Sequence, residues 1–376
     1  MQKVLVVFGT RPETIKMAPV ILELRRRPDV RTIVCVTGQH RDMLDDALKV
    51  FGIVPDHDLN IMRPGQTLAG MTSAILSQLT PVIEEVRPSR VLVHGDTTTT
   101  YAASVASFYL GTPVGHVEAG LRTGNMMAPW PEEFNRRSVD MFADLLWAPT
   151  ERSARTLLDE GSPSANVLVT GNTVVDAILL VTDKIRRDDA LRARLWEGLP
   201  RLDPAKKLVL VTGHRRESFG GGLAEMCEAL NQLAAREEIE IVWPVHPNPN
   251  VVATVRERLS RRSNIHLTAP MEYLAFAALM LKANFIISDS GGIQEEAPTL
   301  NIPVLVTRNE TERPEAVSAG TAKLVGTSAG RILGAAYELL DDPAVYKKMA
   351  ESPNPFGDGR AAVRIVDSLI ARDRAA

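Results

Sequence analysis

Short apolar runs rich in β-branched residues recur along this chain, each followed by a helical-looking segment, and nothing else in it limits the fold as strongly. The first half carries KVLVVF (3–8), RTIVCVT (31–37), RVLVH (90–94), TPVGHVE (112–118), DLLWA (144–148) and NVLVT (166–170). A strand with one wet face alternates apolar and polar residues. Near-continuous apolar runs instead mark strands covered on both faces, as in a parallel sheet flanked by helices. The pattern restarts with KLVLVT (207–212), EIVWPV (240–245), NIHL (264–267), NFIIS (284–288) and IPVLVT (302–307), after a stretch at 183–206 dominated by charge and prolines. At 376 residues the chain is too long for one ordinary core. The expected architecture is therefore α/β, with two doubly wound, Rossmann-like domains: an N-terminal one over 1–170 and a C-terminal one over 171–360, joined near Gly171. The last segment, 361–376, sets Val363, Val366, Leu369 and Ile370 on one helical face and is expected to pack back on the first domain.

Ligands of open parallel sheets bind outside the carboxyl ends of the strands, which for two such domains means the cleft between them. The residues at those ends therefore carry the functional reading. A net charge of -3 gives no reason to expect nucleic acid or an anionic membrane. The two cysteines, Cys35 and Cys227, lie far apart in apolar patterns, which fits a reducing compartment and neither a disulfide nor a zinc cluster. The opening apolar run is too short for a signal-peptide core, and the longest one, 273–287, contains Lys282 and falls short of a membrane span. A cytoplasmic protein is expected.

The first strand ends in GTRPETIK. Pro12 and Glu13 suit a helix N-terminus, and Arg11 and Lys16 beside it read either as solvated charges or as a site for phosphate or carboxylate. The strand at 90–94 runs into HGDTTTT, where Asp96 is a good helix N-cap or a functional carboxylate. His94 and Asp96 alternate, as do His116 and Glu118, so each pair can share a strand face. That spacing serves a mixed imidazole and carboxylate metal site as well as acid/base carboxylates, and spacing alone does not separate the two. Residues 117–136, VEAGLRTGNMMAPWPEEFNR, form a long proline-punctuated loop bearing Glu118, Arg122, Glu132, Glu133 and Arg136. Such loops tend to be functional, and its carboxylates suggest acid/base chemistry on a ligand. Helical geometry turns Glu133 about 100° away from Glu132, so Glu132 is the candidate.

In the second half, His214 and Arg215 emerge at a strand end before a glycine-rich turn, and His246 sits between prolines in PVHPNPN. SDSGGIQEEAP (288–298) places Ser290, Gly291 and Gly292 at a strand-to-helix turn, where backbone N–H groups can approach a phosphate closely. Glu296, one turn on, can accept from ribose hydroxyls, and Arg313 can add a cation. Neither GxGxxG after the first strand nor GxxxxGK[ST] occurs, which argues against a tightly bound nicotinamide and a P-loop enzyme.

Taken together and in order, GTRPE, HGDTTTT, VEAGLRTG, PWPEEFNR, TGHRRESFG, PVHPNP and DSGGIQEEAP resemble the non-hydrolysing UDP-N-acetylglucosamine 2-epimerases across nearly the whole chain. The resemblance implies a GT-B arrangement of the two domains, a homodimer, no cofactor or metal, and an isomerase that interconverts UDP-N-acetylglucosamine and UDP-N-acetylmannosamine for bacterial surface polysaccharides. The hydrogen on C2 of the sugar has no neighbouring carbonyl to acidify it. Inversion there needs transient oxidation or elimination, and without a dinucleotide fingerprint elimination is favoured. The family expels UDP from C1 as the C2 proton leaves, giving a 2-acetamidoglucal, and adds UDP back with the proton on the opposite face. By resemblance Asp96, Glu118 and Glu132 are the acid/base carboxylates, and Arg11, Lys16 and His214 meet the departing diphosphate. Ser290, Gly291, Gly292, Glu296 and Arg313 match nucleotide contacts, Phe276 fits the uracil side, and Met271 stands where a glutamine is common. Gln39, Arg215 and His246 match residues of an allosteric substrate site found in some members. Asp42 and Gly65 stand where those members have glutamine and arginine, so substrate activation is not expected.

Other readings stay open on the residues alone. They are a hydrolysing relative or GT-B glycosyltransferase using a UDP-sugar, a metal hydrolase built on His94, Asp96, His116 and Glu118, and a nucleotide-sugar sensor.

Overall fold

The structure is a computed structural model that describes residues 1–38, 41–63, 65–213, 221–260 and 262–375. The chain divides into two compact units, one of Met1–Leu180 with Phe356–Ala376, the other of Val181–Pro355. In chain order the first unit holds β1 (Gln2–Phe8), α1 (Arg11–Arg25), β2 (Val30–Val36), α2 (Arg41–Phe51), β3 (His57–Asp58), α3 (Leu68–Val86), β4 (Arg90–His94) and α4 (Thr98–Tyr109). It continues with β5 (Val114–Val117), α5 (Glu132–Phe142), β6 (Leu145–Ala148), α6 (Glu151–Asp159), β7 (Val167–Val169) and α7 (Thr173–Arg187), the last of which runs on into the second unit. The second unit holds α8 (Asp189–Glu197), β8 (Lys207–Thr212), α9 (Gly221–Leu233), β9 (Ile239–Pro244), α10 (Pro249–Leu259), β10 (Ile265–Thr268), α11 (Tyr273–Met280) and β11 (Ala283–Ser288). α12 (Gly291–Glu296), β12 (Val304–Val306), α13 (Pro314–Ala319), β13 (Ala322–Leu324), α14 (Ala329–Asp341) and α15 (Pro343–Ala350) complete it, and α16 (Ala361–Ala375) belongs to the first unit.

Both sheets are parallel throughout. The first runs β3-β2-β1-β4-β5-β6-β7 and the second β10-β9-β8-β11-β12-β13. Strand parity explains the continuous apolar runs. In β1, Val4, Val6 and Phe8 enter one core with α1 and α16, while Leu5 and Val7 enter the core on the other face. The chain reverses its direction of growth between β1 and β4 in the first sheet and between β8 and β11 in the second, the position at which open parallel sheets in general bind ligands.

α16 packs on α1 through Ala362, Ile365, Val366 and Leu369, a face rotated slightly from the sequence expectation, with Val363 and Ile370 only half-buried. Its ends are tied down by polar contacts. Asp176 accepts from Ala361 and Ala362 N–H at its start (3.2 and 3.0 Å), and the buried Arg90 bonds both Asp373 and Asp144 at its end. Among the described residues no helix is long and apolar enough to cross a membrane.

Candidate functional site

The turn from β1 into α1 is capped by Thr10 with Glu13 in a reciprocal capping box. Glu13 does more than cap. It is buried, with Oε2 accepting from the Gly9 and Thr10 N–H groups (3.0 and 2.8 Å) and Oε1 from the Thr97 and Thr100 hydroxyls (2.7 and 3.1 Å). This one carboxylate ties the β1 and β4 strand ends together at the switch point. Sequence reading assigned it only to the first helical turn.

At the end of β4 the N-cap of α4 is Thr97, not Asp96. Freed from capping, Asp96 forms an ion pair with Arg136 of α5, and its carbonyl accepts from Asn135 at 2.9 Å. Arg136 also reaches Glu133 (3.3 Å), which is fully buried and accepts from the Thr123 and Gly124 N–H groups. Glu133 thus braces the loop. Glu132 stands one residue earlier in the first turn of α5, where the helix dipole favours a carboxylate. It lines a cavity of about 400 Å³ with Thr10, Arg11, Thr97, Pro131 and Asn135 among its walls.

Glu118 follows β5 with φ of 69°, a left-handed conformation that a side chain with a Cβ disfavours by about 1 kcal/mol or more. The next turn needs Gly120 (φ 85°), because a Cβ there would lie 2.3 Å from the Ser153 carbonyl oxygen. Strand register pairs His94 with Val117 and His116 with Val93, so the two histidines point to opposite faces of the sheet. Simple alternation would send Glu118 with His116. The left-handed turn instead brings its Oε2 within 3.7 Å of His94 Nε2 and into an ion pair with Lys16, and Asn172 Nδ2 donates to the same oxygen at 2.8 Å. His94 is buried, and neither of its ring nitrogens has a hydrogen-bond partner among the described residues.

His116 is committed elsewhere. Its Nε2 lies 2.7 Å from the Gly95 carbonyl and its Nδ1 2.6 Å from Asp140. Burial pushes the Asp140 carboxyl up, but His116 and Arg122 outweigh it and hold the group below the usual carboxylate range. The metal reading of His94, Asp96, His116 and Glu118 therefore lacks a shared face. Among the described residues no three His, Cys, Asp or Glu side chains are gathered to hold a metal ion.

In the second unit, Ser290 N–H donates to Ser288 Oγ (2.9 Å), and Ser290 is the N-cap of α12. Neither Gly291 nor Gly292 has a positive φ. Among the described residues a Cβ would meet nothing within 4 Å at Gly291 and only Ser290 Oγ, at 3.9 Å, at Gly292. Packing against the described residues thus does not demand glycine here, and it leaves room for a ligand to approach the backbone. Glu296 accepts from the Tyr273 hydroxyl at 2.8 Å, and burial together with that carboxylate pushes the Tyr273 phenol well above its ordinary value. Arg313 forms an ion pair with Glu295, which fixes its guanidinium beside α12. Met271 and Phe276 are half-buried, before and within α11. His246 is exposed and accepts from Asn248 N–H at 3.3 Å. Gln39, His214 and Arg215 lie outside the described residues, as does the side chain of Asp42.

Sequence reasoning named Arg136 without a role and did not name Asn172 at all. A lone asparagine after a glycine at a strand end carries no periodic or motif signal.

A family model described as UDP-N-acetylglucosamine 2-epimerase matches residues 22–370. The chain is 54% identical over 368 residues to the Escherichia coli K12 protein of that name, covering 98% of each. A Neisseria meningitidis UDP-GlcNAc 2-epimerase, solved bound to UDP-GlcNAc, aligns with a TM-score of 0.91 at 49% identity, covering 98% of this chain and 100% of the other. A Methanocaldococcus jannaschii UDP-GlcNAc 2-epimerase, solved with UDP-GlcNAc and UDP, aligns with a TM-score of 0.81 at 30% identity, over 98% and 100% of the two chains.

Proposed function

Since this chain belongs to the UDP-N-acetylglucosamine 2-epimerase family, with its two parallel α/β units of GT-B-like fold, we propose that it interconverts UDP-N-acetylglucosamine and UDP-N-acetylmannosamine. The observation that carries this reading is Glu118, turned out of strand alternation by a left-handed backbone and clamped by Lys16. Strain of that kind, held by a largely shielded ion pair, fits a carboxylate placed for chemistry.

The reaction follows from the sugar. One carboxylate takes the C2 proton, the C2–H electron pair becomes the C1=C2 bond, and the C1–O electrons leave with UDP. Re-addition reverses each step with the proton delivered to the other face of C2, so Asp96, Glu118 and Glu132 share two opposite proton transfers. Arg11 and Lys16 stabilise charge on the departing diphosphate, with His214 as the group that protonates it. Ser290, Gly291, Gly292 and Glu296 hold the nucleotide, with Arg313 beside them and Met271 and Phe276 on the uracil side. No role as an allosteric site is assigned to Gln39, Arg215 and His246, given Asp42 and Gly65 in the positions of its usual partners.

The enzyme is read as a cytoplasmic homodimer that supplies surface polysaccharide synthesis. Support for the dimer comes from an apolar face on α4 and α5, where Phe108, Tyr109, Phe134 and Met141 are exposed. Incubation with UDP-N-acetylglucosamine in deuterated water tests the reaction. The manno epimer with deuterium at C2, formed without added nicotinamide, is expected. Free sugar and UDP alone would mark a hydrolase, and no exchange would defeat the proposal.

A further inference from the structure

We infer that Asn172 is a positioning residue of the reaction, setting the orientation and charge state of Glu118; this rests on the epimerase reading above. Its Nδ2 amide donates to Glu118 Oε2 at 2.8 Å, the same oxygen that pairs with Lys16. Two donors on one carboxylate oxygen fix the rotation of the group and stabilise its charged form over its protonated form. A carboxylate that must accept a carbon-bound proton has to begin unprotonated and correctly turned.

Asn172 is itself held on three sides. Its side-chain Oδ1 accepts from Val174 N–H (3.0 Å), its own N–H donates to the Phe356 carbonyl (2.7 Å), and the residue is buried. Flipping the amide would set its NH₂ against Val174 N–H and its oxygen against Glu118, so the donor orientation is determined by the partners. Gly171, immediately before it, passes the Phe356 carbonyl so closely that a Cβ would stand 3.2 Å from that oxygen. The amide is thus aimed by the two crossover segments of the first unit, after β7 and before α16. Neither segment carries one of the three carboxylates. Among the described residues the titratable Lys16 from α1 and His94 from β4 face Glu118 Oε2, and Asn172 is a neutral donor beside them.

Asn172→Asp tests the role with almost no change in shape. It keeps the acceptor for Val174 N–H and replaces only the donor by an oxygen that repels Glu118. Asn172→Ala removes both. Expected for either variant is a roughly ten- to hundredfold fall in kcat with KM changed by no more than about threefold. The acidic limb of the pH profile should move to higher pH by about one unit, and Asn172→Asp should be the weaker enzyme above pH 7. Thermal melting reports folding; if Asn172→Ala does not fold, the near-isosteric aspartate variant decides alone. Wild-type kcat in Asn172→Asp, or a lowered kcat with the acidic limb unmoved, would overturn the assignment. Wild-type enzyme in deuterated water is the control: failure to label C2 would count against the epimerase reading rather than against Asn172 specifically.

Discussion

Glu13→Ala removes the shared acceptor of four donors at the junction of β1 and β4. The four are not equivalent. The Thr97 and Thr100 hydroxyls can rotate to other acceptors, since Thr100 Oγ1 already lies 2.5 Å from the His94 carbonyl and 3.1 Å from Thr97 Oγ1. The Gly9 and Thr10 N–H groups are fixed by the backbone and buried, so they are left unsatisfied. Each orphaned buried donor costs about 1–3 kcal/mol, and partial entry of water into the vacated space sets the expected loss at about 3 kcal/mol. Glu13→Gln keeps the volume. Its amide oxygen can face the two N–H groups while its NH₂ donates to the hydroxyls, so the expected loss is about 1 kcal/mol. Urea unfolding followed by tryptophan fluorescence measures both, read as a change in midpoint at constant slope. Because Arg11 and Asp96 flank the braced turns, Glu13→Ala should also lower kcat before it unfolds the protein. Equal destabilisation by Gln and Ala, or an alanine variant within about 0.5 kcal/mol of wild type, would refute the bracing argument.

Gly291→Ala meets nothing within 4 Å among the described residues, so stability should hold or rise by up to about 1 kcal/mol while UDP affinity falls at least about tenfold; titration calorimetry with unchanged binding would remove the open-backbone reading. The Asp140 carboxyl lies below its ordinary range, so its contribution to stability is complete above the unfolded value and is lost as pH falls through the folded one. Melting temperature should therefore drop on acidification below about pH 4, and Asp140→Asn should be destabilised at neutral pH with a flatter acid limb. Parallel curves would contradict it. Burial pushes the Cys35 thiol up to about 12 and the Cys227 thiol up to about 11. Neither should react with a disulfide reagent in the native protein and both should react in urea, and native labelling of either would place it nearer solvent.

How much of this was legible beforehand follows from the range of each signal. The runs at 90–94 and 207–212 coincide with β4 and β8, and the other long runs lie within a residue or two of theirs, because burial of both faces writes a strand into consecutive residues. β3 (His57–Asp58) and β13 (Ala322–Leu324) left no pattern, because the first has no apolar residue and Lys323 interrupts the second, whereas the equally short β7 and β12 are unbroken apolar runs. Asp96, Glu118 and Glu132 were legible as polar residues at strand ends or in a proline-marked loop. Their partners were not. Lys16 and Glu118 are 102 residues apart, Arg136 and Asp96 are 40, and Asn172 and Glu118 are 54, distances no local period encodes.

Two parallel α/β sheets, the turns at which polar residues leave them, and the glycine pair that opens α12 were written in the sequence, because each depends on neighbours along the chain. Which way those residues face depends on the three-dimensional packing. The left-handed turn at Glu118 overrides strand alternation and parts it from His116, Thr97 takes the cap and leaves Asp96 to Arg136, and Glu13 proves to be the brace beneath both strand ends. The physical reason is the same in each case. A buried charge or donor must find its partner in space, and the sheet order that brings β1 beside β4 supplies partners that the linear order keeps far apart.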